Sequence, residues 1–465
     1  MTAAMGTLGI VISLALLMFF AYRGVTVLIL APLLTALALL FTGEAPMMLP
    51  IYTQVFMKSM GGYLIQFFPL FLLGAIFGKL MDDSGSARAI AHAIIDKLGR
   101  EHAIMAIVLS CALLTYGGVS LFVVAFAVFP IGAALFREAG LPKRLIPGAI
   151  ALGSFTFTMT ALPGTPAIQN AIPSPFFGTD TFAAPGLGTI GGLIMFVVGS
   201  WWMQAQGRKL AAAGEGYGEH EGEPQQRTDM PTIGFAKAVL PILAVIGLNF
   251  VMAKIALPAM DTGYLAKPEY GGLPDAKSVI GIWAIIVAVS SAVLLLIALH
   301  WPRWSNLTKT LNEGTFGSML PILNTASEVG YGTVIASLAG FAVIRDLVLN
   351  IPGNPLVSEA VAVNVLAGIT GSASGGMSIA LKTLGAQYLE MANAAGVSPQ
   401  LLHRVAAMAS GCLDTLPHNG AVISLLAICG LTHRESYKFI FFNTVVFPLL
   451  ALVAVIFLGS TFGNF

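Results

Sequence analysis

Each half of this otherwise apolar chain contains the same pair of polar interruptions. Residues 116–120 (Tyr-Gly-Gly-Val-Ser) recur 258 positions later as residues 374–378 (Ser-Gly-Gly-Met-Ser). Residues 162–167 (Leu-Pro-Gly-Thr-Pro-Ala) line up with residues 416–421 (Leu-Pro-His-Asn-Gly-Ala), 254 positions later. Interruptions at corresponding positions of two apolar halves are typical of a transporter's ligand site, where broken helices meet near the middle of the bilayer.

The interruptions combine small residues with hydroxyl and amide side chains. Small residues let a ligand approach the main chain closely, and a helix that begins at an interruption offers free N–H groups and the positive end of its dipole. These groups suit a carboxylate. One Gly-Gly-x-Ser element alone would indicate close helix packing, but two copies favour a site. The residues predicted to contact the substrate are Thr115, Gly117, Gly118, Ser120, Thr160, Gly164, Thr165, Ser372, Ser374, Gly375, Gly376, Ser378, Thr415, His418 and Asn419.

Two of the polar residues in the second Pro-containing break are candidates for moving a proton. Asp414 lies inside an apolar span, where an ionisable side chain is costly and is by default a functional candidate. His418 is of a type that titrates near neutral pH. The alternatives are a structural Asp414 that caps the next half-helix and a His418 that only donates a hydrogen bond. Glu328 is a third acid in an apolar segment, but the predicted spans do not place it at a break.

Sodium is the alternative coupling ion, because hydroxyl and carbonyl oxygens at the breaks could ligate it. Ser372, Thr415 and Asn419 would supply the side-chain ligands. The sequence contains no phosphate-binding loop, no nucleophile elbow and no His or Cys pair at metal spacing, so no cofactor is expected and energy must come from an ion gradient. An ion channel or a membrane enzyme is the rival class, but no ring of like charges and no nucleophile with a base stands out.

The composition is that of a polytopic membrane protein. Of 465 residues, 57% are hydrophobic and only 10% are charged, whereas a soluble domain has about a quarter charged. The 51 glycines and 25 prolines fit closely packed and interrupted membrane helices. The net charge of +1 indicates no nucleic-acid partner. We therefore expect an all-α protein surrounded by lipid.

Ten stretches are long and apolar enough to cross a bilayer, five in each half. They are residues 5–22, 25–42, 63–82, 145–172, 187–204, 238–256, 278–299, 317–341, 405–430 and 439–459. Residues 103–136 and 358–392 are broken at the Gly-Gly-x-Ser elements into halves too short for a crossing. We predict that each forms a re-entrant hairpin.

The chain divides into two repeats of opposite orientation, because each has an odd number of spans. Repeat 1 covers residues 1–204, with hairpin 103–136 and broken helix 145–172. Repeat 2 covers residues 237–465, with hairpin 358–392 and broken helix 405–430. Residues 205–236, rich in Gly and Glu, are predicted to be a flexible cytoplasmic linker.

The distribution of Lys and Arg favours an orientation with both termini outside. In that layout sixteen of the 23 basic residues fall in cytoplasmic segments and six outside, one of which is Arg404, while Lys382 lies within the second hairpin. An excess of basic residues in the cytoplasm is the usual arrangement. A prokaryotic inner (plasma) membrane is the expected location.

With these motifs, the chain resembles the gluconate:proton symporter (GntP) family of the ion transporter superfamily over nearly its whole length. The stretches that carry the likeness are residues 73–85, 116–118, 163–166 and 416–436. The resemblance implies proton-coupled uptake of a small hydroxy-carboxylate. It also implies a homodimer built on scaffold helices, with a moving domain that holds the hairpins and broken helices in an elevator-type mechanism.

Within the family, the chain resembles D-β-hydroxybutyrate permeases more than gluconate carriers. Its first broken span reads Leu-Pro-Gly-Thr-Pro at residues 162–166, where a gluconate carrier is expected to have a His-Pro-Gly type of turn. Few cations lie near the breaks, Lys382 and His418 being the main ones, which favours a monocarboxylate over a tricarboxylate. The alternative is a sodium-coupled carrier of a di- or tricarboxylate such as citrate.

Overall fold

The computed structural model describes residues 3–23, 25–220, 233–270, 276–351, 354–417 and 419–465, and these residues contain helices and no β-strand. The all-α prediction is confirmed. The helices of the first half are α1 (Ala3–Tyr22), α2 (Val27–Thr42), α3 (Met48–Ile51), α4 (Met57–Asp83), α5 (Ser86–Leu98), α6 (Ala103–Tyr116), α7 (Leu121–Glu138), α8 (Ile146–Ser154), α9 (Phe157–Thr160), α10 (Ile168–Ala171), α11 (Ser174–Phe177) and α12 (Pro185–Ala212).

The second half contains eleven α-helices within the described residues. They are α13 (Phe235–Val251), α14 (Leu257–Ala259), α15 (Lys277–Leu299), α16 (Leu307–Ser337), α17 (Phe341–Leu349), α18 (Pro355–Thr370), α19 (Ala373–Ala394), α20 (Pro399–Ser410), α21 (Gly420–Ile428), α22 (His433–Phe441) and α23 (Phe447–Phe462). Short π-helical segments, Tyr52–Phe56, Met252–Ala256 and Phe442–Val446, make α3–α4, α13–α14 and α22–α23 continuous.

The two halves have the same order of elements. Two helices come first, then a long helix (α4 or α16), a short helix bent away from its neighbour, a helical hairpin, a broken helix and a final long helix. The bend is 107° between Ser86–Leu98 and Arg100–Tyr116, and 95° between Leu307–Ser337 and Phe341–Leu349. This order agrees with two repeats, while their opposite insertion in the membrane stays a prediction.

Five helices of the described residues are long and apolar enough to cross a bilayer, or seven if each bent pair counts as one span. The five are Ala45–Asp83, Pro185–Ala212, Phe235–Ala259, Lys277–Leu299 and His433–Phe462. They contain five of the ten predicted spans. Of the others, residues 5–22 and 25–42 form the shorter α1 and α2, residues 317–341 belong to a bent pair, and the two predicted broken helices are indeed broken.

The segment predicted as a flexible linker is partly ordered. Helix α12 continues to Ala212, past the predicted end of repeat 1, and the chain then folds back onto the first hairpin. Glu215 forms an ion pair of 2.5 Å with Arg144, and Tyr217 is buried under the guanidinium of Arg137, 4.8 Å from its ring centre. Residues 205–212 of the predicted linker are therefore helical, while the flexibility and cytoplasmic location of the rest stay predictions, and residues 221–232 lie outside the described residues.

Candidate functional site

The tip of the second hairpin lies at the first turn of a long helix. Hairpin 2 consists of α18 and α19, joined at Gly371 and Ser372. The Ser372 hydroxyl accepts a hydrogen bond from the Gly375 N–H at 3.0 Å and so caps α19. Ser374, also in this first turn, lies 3.4 Å from the Thr325 hydroxyl of α16. The predicted residues Ser372, Ser374 and Gly375 are thus brought together at the start of α19.

A buried carboxyl lies against this first turn. Glu328 of α16 is 2% exposed, and a β-carbon at position 375 would coincide with its Oε2 atom. That oxygen has no hydrogen-bond partner among the described residues. A negative charge beside the first turn of a helix is favoured by the helix dipole. Sequence reasoning noted Glu328 but placed it away from the breaks, because α16 is unbroken there; the structure places it at the hairpin tip.

The first hairpin has the same design with fewer polar groups. Hairpin 1 consists of α6 and α7, and Ser120 caps α7 by accepting from the Val123 N–H at 3.5 Å. The Thr115 hydroxyl is buried without a partner among the described residues. Gly118 has a φ of 90°, which suits glycine, and a β-carbon there would lie 2.9 Å from Pro166 Cγ. The tip of hairpin 1 therefore packs directly on the first break.

The first break, between α9 and α12, is held by two buried side chains of α20. Arg404 is 0% exposed and donates hydrogen bonds to the carbonyl oxygens of Thr160 at 3.0 Å and Ala183 at 2.9 Å, and to Asn170 Oδ1 at 3.0 Å. His403 contacts Asn170 Oδ1 and the Thr179 hydroxyl. Arg404, which was counted among the outside residues, is buried in α20, and the side of the membrane on which it lies stays a prediction. It supplies donors for carbonyls that the broken helix leaves unpaired.

Predicted site residues in the first break are bound within the protein. Gly164 donates its N–H to Thr181 O and accepts from the Asn249 side chain at 3.0 Å. Thr165 is 0% exposed, and its carbonyl accepts from Asn170 at 3.1 Å. Thr160 donates its hydroxyl to the carbonyl four residues earlier. These groups stabilise the non-helical backbone that a membrane span otherwise excludes.

The second break, residues 411–419 between α20 and α21, contains the acid predicted from the sequence. Asp414 Oδ1 is buried without a hydrogen-bond partner among the described residues. Thr415 pairs its hydroxyl with Thr444 at 2.6 Å and accepts at its carbonyl from the Tyr437 hydroxyl. Asn419 caps α21 by accepting from the Val422 N–H at 2.9 Å. The predicted residue His418 lies outside the described residues.

The two hairpin tips and the two breaks are linked by a series of contacts that runs from hairpin 1 through the first and second breaks to hairpin 2. The Tyr116 hydroxyl, at the end of α6, donates to Pro163 O in the first break at 2.7 Å. A β-carbon on Gly411, in the second break, would lie 2.7 Å from Thr160 Cγ2 in the first. Asn419 then donates its amide to Gly371 O at the tip of hairpin 2, at 2.8 Å. Both hairpin tips and both breaks thus form one connected region.

Comparison with known proteins decides the family. The family model described as GntP family permease matches residues 3–460. This chain belongs to the GntP family. The permease is also 45% identical over 469 residues, 98% of each chain, to a protein of Bacillus subtilis (strain 168) named uncharacterized transporter YxjC. It is therefore a transporter and not an enzyme.

The solved structure of MtrF from Neisseria gonorrhoeae has a similar fold. The TM-score is 0.54 at 12% sequence identity, and the alignment covers 91% of the permease and 85% of MtrF, which is described among a class of antimetabolite efflux pumps. At this identity the likeness concerns the fold alone.

Proposed function

We propose that this permease is a secondary active transporter that moves a small hydroxy monocarboxylate, such as β-hydroxybutyrate or a gluconate-like acid, together with a proton. The observation that carries the proposal is the chain of contacts that runs from hairpin 1 through the first and second breaks to hairpin 2. The same region holds two buried carboxyl oxygens, Asp414 Oδ1 and Glu328 Oε2, that have no hydrogen-bond partner among the described residues. Such groups are costly in a membrane interior, so their presence indicates that the function uses them.

The substrate carboxylate would bind at the start of α19. The first turn there offers the positive end of a helix of 22 residues, and the hydroxyls of Ser372 and Ser374 can donate to the acid or to its hydroxyl group. Ser120 and the unpaired Thr115 hydroxyl at hairpin 1 would complete the site from the opposite side. These two tips supply mainly neutral donors, which fits one carboxylate better than three.

The coupled proton would bind to Asp414, with His418 as the second group that can exchange it. Asp414 lies between the half-helices α20 and α21, so its protonation can be linked to movement of either. A neutral carboxyl is far less costly to move through a membrane interior than an ionised one. Glu328 would act on the substrate instead, because its carboxyl group lies beside the turn that binds the carboxylate.

Sodium-coupled transport of a di- or tricarboxylate such as citrate is the alternative. It would use the oxygens of Ser372, Thr415 and Asn419. In the described structure each of these already has an internal partner, since Ser372 and Asn419 cap helices and Thr415 binds Thr444. Because these side chains already have hydrogen-bond partners, coupling to a proton is favoured over coupling to sodium.

Transport would follow an elevator-type alternating-access cycle in a homodimer in the inner membrane of a prokaryote, with both termini outside. The moving body would contain hairpins 1 and 2 and the broken helices, because their mutual hydrogen bonds make them one unit. The repeats would give the two half-cycles similar geometry.

Uptake by purified permease in liposomes tests the proposal. A pH step, alkaline inside, is applied in sodium-free buffer with labelled β-hydroxybutyrate, gluconate, lactate or citrate outside. We expect transient accumulation of a short hydroxy monoacid, abolished by a protonophore. Accumulation that requires a sodium gradient, or that is specific for citrate, would support the alternative.

A further inference from the structure

A cavity of about 260 Å³ lies between α4 and the second hairpin. Its lining comes from α4 (Ser59, Gly62, Tyr63, Gln66 and Phe67), from α19 (Ser378 and Lys382), and from Pro175, Phe176 and Val329. Ser378 is the one lining residue that the sequence predicted for the substrate site. The cavity therefore adjoins the candidate site without belonging to either break.

The chemistry of the lining suits an anion. Lys382 is the single charged side chain in it, and Lys382 has no ion pair with any residue in the described part of the chain. The hydroxyl of Tyr63, a residue that is 5% exposed, lies beside Ser378 but makes no hydrogen bond of good geometry with it or with another described residue. A buried hydroxyl without a partner is costly, and a bound acceptor would remove that cost.

Polar residues of α19 lie along one face of the helix between the cavity and the hairpin tip. Ser374, Ser378 and Lys382 are spaced four residues apart, so they lie on one side of the helix and span about 12 Å along its axis. Ser374 is in the first turn, next to Thr325, and Ser378 is buried and donates its hydroxyl to Ser374 O. The lysine, the two hydroxyls and the helix N-terminus thus follow one another in the direction from the cavity to the tip.

We propose that this cavity is an entry site that binds the carboxylate of the substrate between Lys382 and Tyr63 before it reaches the tip of hairpin 2. The inference rests on the proposed transport of a carboxylate. The volume is below the ~300–1,000 Å³ of pockets for drug-sized ligands, so a small acid is the fitting class. Lys382 is exposed, and a positive charge at the mouth of a cavity raises the local concentration of an anion and its rate of binding.

Uptake by the full-length permease in liposomes tests the entry site, with the same four labelled acids as probes. Lys382→Gln should raise the KM of the acid that wild type transports best by about tenfold, with the maximal rate within about twofold, because binding and not translocation is weakened. Lys382→Arg should stay within about threefold of wild type, since it keeps the charge. Raising the ionic strength should increase the wild-type KM and change that of Lys382→Gln little.

Lys267→Gln is the matched control, since Lys267 is an exposed lysine that does not line the cavity, and its KM should equal that of wild type. Tyr63→Phe removes only the hydroxyl group and should raise KM by about threefold or more. This variant supplies the test if Lys382→Gln does not fold. An unchanged KM in Lys382→Gln, or in Tyr63→Phe if that variant alone folds, overturns the entry site and leaves the proposed function standing. If wild type transports none of the four acids, the proposed function fails and the entry site fails with it.

Discussion

The carboxyl group of Glu328 fills the space beside Gly375 that a β-carbon would occupy. The two residues lie on different elements, α16 and the first turn of α19, and each restricts the other. Only glycine leaves room for the acid, and the acid occupies the flank of the turn that we propose for the substrate carboxylate. This contact links the long helix α16 to the tip of hairpin 2. It can be tested by substitution of either residue.

Substitution at Gly375 should disturb the site through Glu328. Gly375→Ala places a methyl group on the carboxyl, so we expect a loss of about 1–3 kcal/mol in stability, seen as a lower Tm, together with loss of uptake. Gly385→Ala in the same helix is the control, because its β-carbon would meet Phe176 at an ordinary 3.6 Å. The double variant Gly375→Ala/Glu328→Ala should regain part of the lost Tm. If the single and double variants have the same Tm, the Glu328 carboxyl is not the group that opposes the methyl group at position 375.

Removal of the Glu328 charge should strengthen binding of the acid. At a pH high enough to ionise Glu328, Glu328→Gln is expected to lower the KM for the transported acid by about tenfold, because a like charge next to the carboxylate site is lost. The measurement is concentration-dependent exchange in liposomes with equal pH on both sides. Glu359→Gln serves as control, since Glu359 of α18 is also fully buried, and neither of its carboxyl oxygens has a hydrogen-bond partner in the described part of the chain, but it does not lie at the hairpin tip. A KM that rises in Glu328→Gln would contradict the electrostatic argument.

The sequence predicted the elements of the site better than its interior contacts. The hairpin tip at Ser120 and the Pro-containing break at Asp414 followed from local chemistry. The second Gly-Gly-x-Ser element, in contrast, lies inside α19 and does not break it, because the turn of hairpin 2 is at Gly371 and Ser372, just before the element. Boundaries differed by a few residues: α20 begins at Pro399, not at residue 405. These ends depend on caps such as Ser398, which the hydropathy pattern does not detect.

Long-range partners could not be read from the chain. Arg404 lies one residue before the predicted span 405–430, so the position of its charge suggested a loop. Its burial depends on carbonyls of the first break, more than 200 positions away, whose unpaired state becomes known only once the break is folded. The position of Glu328 at the hairpin tip could not be predicted for a similar reason. Its helix is unbroken, and its neighbour Gly375 belongs to another element.

The guanidinium of Arg404 should be essential to the first break. Arg404→Lys keeps the charge but cannot bind the carbonyls of Thr160 and Ala183 and the Asn170 side chain at once. Each buried acceptor left unpaired costs about 1–3 kcal/mol, so the Tm in detergent should fall clearly and uptake should be lost. Arg345→Lys is the comparison, because Arg345 is exposed and pairs with its neighbour Asp346, and its Tm should equal that of wild type. Similar melting of both variants would mean that the break does not depend on Arg404.

Replacement of Asp414 should separate substrate movement from proton movement. Asp414→Asn retains the size and hydrogen-bonding capacity of the side chain but cannot bind and release a proton. We expect this variant to lose accumulation driven by a pH step while it still exchanges labelled for unlabelled acid across the liposome membrane. Exchange needs only the loaded carrier to cross, and the amide resembles the protonated acid. Full pH-driven accumulation in Asp414→Asn would remove Asp414 from the coupling role and leave His418 as the group to examine next.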